Sequence, residues 1–178
     1  MTDPVIAAFE TERLQLRPLT AADGDALLAL DADPPVMRFI NGGRASTPAE
    51  ITDGLRTWVG HRWLASDDAG QFVGWFSLRP TGLQERELGY RLRREHWGRG
   101  YATEGSLAML AVAFDHLGAT RVWAQTMAVN TRSRAVLERC GMRYVRTFEL
   151  EWDEPIEGAD QGDVEYEIRR DDWAPARR

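Results

Sequence analysis

Short stretches in which apolar and polar residues alternate recur along the chain, and this period of two predicts β-strands. In the first of them, Leu14 and Leu16 stand between polar neighbours. The stretch at 62–66 is followed by the turn residues of 67–70, which favour a hairpin to the next stretch. The predicted strands cover residues 11–18, 62–66, 71–79, 85–93, 121–127, 143–152 and 164–169.

After residue 100 the apolar residues recur every three or four positions, and this period predicts helices. The longer helix covers residues 101–117 and ends before Gly118, and the shorter one covers 133–140 and ends before Gly141. Each pattern places one apolar face toward the rest of the protein. The inward residues are Leu107, Leu110, Ala111, Phe114 and Leu117 in the first helix, and Val136, Leu137 and Cys140 in the second.

Two earlier helices are predicted from capping motifs. Thr20 with Asp23 at the third position starts one, and we expect Pro34-Pro35 to stop it. Thr47-Pro48-Ala49-Glu50 starts the other, with proline at the first helical position. The segment 41–43 between them is predicted to be a loop.

The element order is therefore β-α-α-β-β-β-α-β-α-β-β, which indicates an α+β protein. The long helix joins the strands 85–93 and 121–127, so we expect these two to be parallel neighbours in a mixed sheet. No repeat or linker divides the sequence, and 178 residues suffice for one hydrophobic core. We expect one domain over 1–178, with its core at about 11–173.

The composition, 43% apolar and 28% charged, is that of an ordinary globular protein. A net charge of −6 argues against a nucleic-acid partner. With no apolar run of about 20 residues and no leader pattern, we expect a cytoplasmic protein without membrane contact. All 22 basic residues are arginine, which excludes P-loop and pyridoxal-phosphate chemistry because both need a lysine.

Metal and thiol chemistry are also not expected. Cys140 is the single cysteine, and it lies on the apolar face of its helix, where a structural role is usual. His61, His96 and His116 are isolated from one another in the sequence, and no metal-binding spacing is present. We therefore predict no metal site.

The segment 97–102 has the strongest functional signal. It joins an alternating strand to the long helix through Gly98-Arg99-Gly100. Such a turn directs unpaired backbone N–H groups, together with the positive end of the helix dipole, toward a phosphate or pyrophosphate. Two glycines alone could also serve only a tight turn. A dinucleotide fingerprint would need a third glycine where Thr103 stands.

The surrounding residues resemble the GNAT N-acetyltransferases. The resemblance rests on the Leu-Gly-Tyr-x-Leu stretch before Trp97, the turn itself, and the Asn-x-x-Ser motif that begins at Asn130. The segments 11–18 and 166–173 are similar to the RimJ/RimL subgroup of ribosomal-protein alanine acetyltransferases. The family usually has Gln or Arg at the position of Trp97, but tryptophan is common there in this subgroup.

The resemblance implies the GNAT fold: a mixed, mostly antiparallel, V-shaped sheet of about seven strands flanked by about four helices. It also implies acetyl-CoA as co-substrate, with pantetheine between the splayed strands ending at Arg93 and beginning at Arg121. The implied cofactor-binding residues are Leu92, Trp97, Gly98, Arg99, Gly100, Tyr101, Ala102, Asn130 and Ser133.

The predicted catalytic residues are Glu87, Ser133 and Asn130. Glu87 is the expected base, acting directly or through water, although it could equally be an exposed strand residue. Ser133 is the expected proton donor to the thiolate, and Tyr90 is the alternative donor. Asn130 is expected to bond pantetheine or the amine, although both Asn130 and Ser133 also suit the start of a helix.

We expect direct transfer to a primary amine, namely a protein or peptide N-terminus. The alternatives are a small amine, a succinyl donor (with Arg91 or another pocket arginine pairing with its acid tail) or a non-catalytic acyl-CoA sensor. The eight acidic residues of 149–165 could attract a cationic acceptor, and the loop 41–44 is a second candidate wall of the acceptor site. Homodimers are frequent among proteins of this kind, so a homodimer is a possible assembly.

Overall fold

A computed structural model describes residues 6–151, 154 and 156–173. Eight strands form one sheet in the order β1-β2-β3-β4-β5-β6-β8-β7, and five helices accompany it. The strands are β1 (Phe9–Glu10), β2 (Leu14–Pro18), β3 (Arg62–Asp67), β4 (Phe72–Gly82), β5 (Glu85–Leu92), β6 (Arg121–Met127), β7 (Arg143–Phe148) and β8 (Asp163–Arg169). The helices are α1 (Gly24–Asp31), α2 (Pro34–Asn41), α3 (Pro48–Trp58), α4 (Tyr101–Ala111) and α5 (Thr131–Arg139).

The sheet is antiparallel except between β5 and β6, which are parallel as predicted from the helix that joins them. Their pairing covers only Glu85 to Glu87 on one strand and Arg121 to Trp123 on the other. Beyond these residues β5 stays paired with β4, and β6 stays paired with β8. The two halves of the sheet therefore separate, and this gives the V shape.

The larger core lies between the sheet and helices α4 and α5. Alternate residues of β4 and β5, among them Phe76 and Leu88, point into it and meet Leu110 and Phe114 of the α4 region. Leu137 of α5 closes the far end. Burial of these side chains stabilises the fold by about 1.5–3 kcal/mol each.

A smaller core covers the opposite face at the β3–β4 end of the sheet. It joins Leu27 and Leu30 of α1, Ile51 of α3, Leu64 of β3 and Trp75 of β4. The sheet is thus covered by helices on both faces, but over different strands. Within the described ranges, no helix has the length and apolar character to cross a bilayer.

Three predicted elements differ from the structure. Pro34 and Pro35 begin α2 rather than stopping a helix, because proline is tolerated in the first turn, where no N–H bond is needed. The long helix is α-helical only to Ala111 and continues as a π-helical turn over Val112–His116. Strand β7 ends at Phe148, opposite the first residue of β8, and the predicted end of this strand at Trp152 lies outside the described residues.

Candidate active site

The glycine turn lies at the end of β5, where the two halves of the sheet separate. After Leu92 the chain makes a single 3-10 turn and then reaches Gly98 and Gly100, with φ of 72° and 83°. Side-chain-bearing residues are strained at such angles, so glycine suits both positions. Gly100 caps α4, whose first helical residue is Tyr101.

The backbone N–H groups of this turn are free. Glu104 donates the first helical bond, to the carbonyl of Gly100 at 3.0 Å. From Gly98 to Ala102, no N–H group has an acceptor among the described residues. Because these donors lie at the positive end of α4, the turn can bind an anion, as the sequence indicated.

A network from the segment between β1 and β2 braces this turn, and sequence reasoning did not find it. Glu104 accepts hydrogen bonds from the Thr11 hydroxyl at 2.6 Å and from the Arg13 backbone at 2.8 Å. The Arg13 guanidinium pairs with Glu104 and also donates to the carbonyl of Arg99 at 2.8 Å. Burial raises the pKa of Glu104, but the bonds from Thr11 and Arg13 outweigh it and leave the pKa lowered. The available signal was the Thr11-x-Arg13 pair in the opening motif.

Trp97 links the turn to the end of β5. Its indole N–H donates to the carbonyl of Leu92 at 2.9 Å, and the Arg132 guanidinium lies 5.3 Å from its ring centre. Arg132 is in the first turn of α5, so Trp97 is in contact with both sides of the split. Leu92 itself is buried.

Two hydroxyl groups meet across the split in the sheet. The Tyr90 phenol on β5 lies 2.8 Å from the Ser133 hydroxyl on α5, the helix that follows β6. Burial raises the pKa of Tyr90, and its phenol therefore stays protonated at neutral pH. Asn130 caps α5 by accepting the N–H of Ser133 at 3.2 Å. The structure thus brings Tyr90, Ser133 and Asn130 together.

Glu87 lies on the opposite face of β5 from Tyr90. Residues at odd and even positions of a strand point to different faces, so Glu87 shares its face with Gly89 and Arg91. Arg79, its registered partner on β4, forms an ion pair with the Glu87 carboxylate. The predicted base and the predicted acid therefore flank the split from its two faces.

Other reactive groups are unsuited to catalysis. Cys140 is buried, and burial raises the pKa of its thiol to about 12, which keeps it a poor nucleophile. No cluster of three or more potential metal ligands occurs in the part of the chain that the structure describes.

Comparison with known proteins assigns the family. The sequence model of the family described as acetyltransferase (GNAT) domain matches residues 13–143. The chain belongs to the GNAT family of acetyltransferases. This GNAT chain is 35% identical over 195 residues to the FsC-acetyl coenzyme A-N(2)-transacetylase of Aspergillus fumigatus, covering 97% of this chain and 80% of that protein.

Solved structures agree with the fold of this GNAT protein. An acetyltransferase from Agrobacterium tumefaciens is 30% identical, with a TM-score of 0.71 and coverage of 92% of this chain and 95% of that one. The spermidine N-acetyltransferase from Vibrio cholerae, solved with CoA and spermine, has a TM-score of 0.79 at 18% identity, with coverage of 91% and 98%. At 18% identity, this likeness shows the fold alone.

The family assignment explains the free donors at the turn. GNAT acetyltransferases use acetyl-CoA. Its pyrophosphate needs several hydrogen-bond donors that are not already bonded to another acceptor in the protein. The free N–H groups from Gly98 to Ala102 meet that need at the start of α4. The residues present at the turn therefore fit the co-substrate.

The two segments expected to border the acceptor lie beside each other. Arg38 of α2 pairs with Glu157 of the β7–β8 segment at 2.9 Å. A side chain at Gly42 would approach Ile156 to 3.0 Å, so the loop after α2 touches the same segment. The helix and loop before residue 44 thus contact the acidic run at Ile156 and Glu157.

Proposed function

We propose that this GNAT protein acetylates a primary α-amine by direct attack on acetyl-CoA. The observation that carries the proposal is the Tyr90–Ser133 hydroxyl pair, 2.8 Å apart, across the split in the sheet. That split opens beyond Glu87, and the turn with free N–H donors follows the end of β5. In this proposal, one cleft contains both the backbone N–H groups that bind the pyrophosphate and the hydroxyl pair that supplies a proton.

In this proposal the donor is held mainly by backbone groups. The N–H groups of Gly98, Arg99, Gly100, Tyr101 and Ala102 bind the pyrophosphate, while Leu92 and Asn130 border the pantetheine. Trp97 fixes the approach to the turn through its bond to Leu92. The thioester then lies between β5 and β6, beside Ser133.

The proposed reaction moves two protons. The amine nitrogen bonds to the thioester carbonyl carbon, the C–S bond breaks, and the amine proton passes to Glu87 directly or through water. Ser133 gives its hydroxyl proton to the departing thiolate, and Tyr90 can replace that proton through their hydrogen bond. The acid and the base act from opposite faces, as their positions on β5 and α5 require.

The ion pair of Glu87 favours an α-amine over a lysine side chain. Because the Glu87 carboxylate is already paired with Arg79, the proposal suits an amine that loses its proton with little help. An α-amino group has a pKa near 7.7–8.0, against about 10.4 for lysine. The α-amine therefore needs less help, and positioning supplies much of the rate.

Two kinds of α-amine remain as candidates. The segment 11–18 resembles RimJ/RimL enzymes and favours a protein or peptide N-terminus. The 35% identical relative, named for N(2) transfer to FsC, favours a small amine instead. A non-catalytic acyl-CoA sensor is the third alternative, and it would not depend on Ser133 or Glu87.

The test is a thiol-release assay with acetyl-CoA against peptides with free N-termini and a panel of small amines. We expect Ser133→Ala and Glu87→Gln each to lower kcat by about 100-fold. The affinity for acetyl-CoA, measured by calorimetry, should stay within about twofold of the parent. Parent-like turnover in both variants would contradict the assigned roles, and no turnover with any amine would favour the sensor.

A further inference from the structure

Arg62, the first residue of β3, lies between two indole rings. Its guanidinium carbon is 4.0 Å from the ring centre of Trp58 and 3.8 Å from that of Trp75. Trp58 is the last residue of α3 and Trp75 is on β4. The cation is thus held in a fixed position by two aromatic faces from different elements.

Arg62 makes no ion pair or hydrogen bond with a described carboxylate, unlike the two arginines beside it. Arg79 pairs with Glu87, and Arg91 pairs with Asp31 at 2.6 Å. The guanidinium of Arg62 makes no hydrogen bond to a described residue, and its Nε is buried without an acceptor. Of these three arginines, Arg62 is therefore the one whose guanidinium has no hydrogen-bonded carboxylate.

Two glycines make room for this arrangement. The Trp58 indole lies so close to Gly54 of α3 that any side chain there would collide with it. At Gly89 of β5, an added Cβ would lie 2.8 Å from the Ser77 hydroxyl and 3.6 Å from the Trp75 ring. The absence of side chains at both positions leaves room for the two indoles beside Arg62.

This arrangement lies close to the split. Arg62 is registered with Ser77 on β4, and Ser77 is registered with Gly89 on β5. Strand spacing puts Arg62 about 10 Å from Gly89, well within the length of a small acceptor. Gly89 is two residues beyond Glu87, the last β5 residue paired with β6. Arg62 therefore faces the side of the split on which Glu87 lies.

We propose that Arg62 binds a carboxylate of the acceptor, so that the acceptor is an amine that also carries a free acid group. The planar fork of an arginine matches the two oxygens of a carboxylate. The acidic segment 149–165 would attract the ammonium end while Arg62 receives the acid end. This inference rests on the proposed function and narrows its substrate class.

The electrostatics of the site agree with this role. Burial, followed by repulsion from Arg91, lowers the pKa of Arg62 to about 9, and attraction to Asp31 offsets this only in part. The side chain is still charged at neutral pH. A half-buried cation without a hydrogen-bonded anion is costly to maintain. A bound carboxylate would remove that cost.

The test compares acceptors that differ only in the acid group. Leucine, its dipeptide and its tripeptide would each be supplied as the free acid and as the C-terminal amide, with acetylation followed by mass spectrometry. We expect Arg62→Gln to lower kcat/KM for the free acids about 10- to 100-fold more than for the amides. The kcat/KM of Arg62→Lys for the free acids should lie between those of the parent and Arg62→Gln, because lysine keeps the positive charge but lacks the planar guanidinium.

Arg56→Gln is the matched control, since Arg56 is on the exposed side of α3 and pairs only with Asp53. It should leave the ratio of acid to amide unchanged. An equal loss on acids and amides in Arg62→Gln would overturn the inference by showing a purely structural role. If this variant binds acetyl-CoA more weakly than the parent, Arg62 contacts an anionic group of acetyl-CoA rather than the acceptor, and the inference is overturned.

The parent protein gives an independent result if Arg62→Gln does not fold. A parent that acetylates amides as well as acids would overturn the inference while leaving the proposed function intact. A parent that acetylates no member of this panel and no amine of the thiol-release assay would overturn both. If the parent prefers free acids and Arg62→Lys reduces that preference, the inference is supported even without the glutamine variant.

Discussion

The two faces of the sheet around the split are built differently. On the α4 face, the groups offered to a ligand are mainly N–H groups of one turn, braced by Arg13 and Glu104. On the α1 and α3 face, they are side chains, with Arg62 between two indoles. Backbone N–H groups are present whatever the side chain, so they suit a ligand that a whole family shares. Side chains, in contrast, can be changed by single substitutions. Under the proposed assignment, the donor site would therefore be general, and acceptor choice would depend on a few residues.

The largest expected effect tests the packing beneath the two faces. Phe76 is fully buried against α4 in the larger core. Leu27 of α1 is the corresponding buried residue in the smaller core. We expect Phe76→Ala to lower the free energy of unfolding by about 3–5 kcal/mol, and Leu27→Ala by about 2–4 kcal/mol. Urea unfolding measures both. A larger loss for Leu27→Ala would show that the smaller core dominates stability.

An intermediate effect separates the backbone strain of the turn from its binding role. Gly98 and Gly118 have φ of 72° and 63°, and an added Cβ meets nothing within 4 Å at either one. Alanine at each should cost about 1–2 kcal/mol of stability. Only Gly98→Ala should weaken acetyl-CoA binding, by about tenfold in calorimetry. An equal loss of affinity in Gly118→Ala would mean that the effect is general destabilisation.

The smallest expected effect concerns the ion pair that holds the start of α1 against β2. The bond from Arg17, together with Thr20, lowers the pKa of Asp23 to about 2. A lowered folded-state pKa stabilises the protein above the unfolded value near 3.9, and this stability is lost as the pH falls toward 2.

Asp23→Asn measures that contribution. Because Arg17 is half exposed and screened by solvent, the variant should be less stable than the parent by about 1 kcal/mol at pH 7. The difference should shrink as the pH falls from about 4 to 2. A difference that stays constant over this range would exclude ionisation of Asp23 as its cause.

Local sequence patterns predicted most of the framework. The capping box at Thr47 and Glu50 is present, and so is the parallel pairing of β5 with β6. The helix after Pro34 was missed because a proline pair can either end a helix or begin one. In the candidate site, the turn was found because its glycines and helix are adjacent in sequence. The Arg13 brace, 91 residues from Glu104, was not.

The sequence by itself determined the glycine turn, the helix behind it and the family, because each depends on residues close together along the chain. Only the tertiary structure decided that Tyr90 meets Ser133, that Arg79 pairs with Glu87, and that Arg62 has no hydrogen-bonded carboxylate among the described residues. Those relationships depend on strand register and on which face each residue takes. Neither can be deduced from local spacing, because a shift of one residue moves every side chain of a strand to the other face.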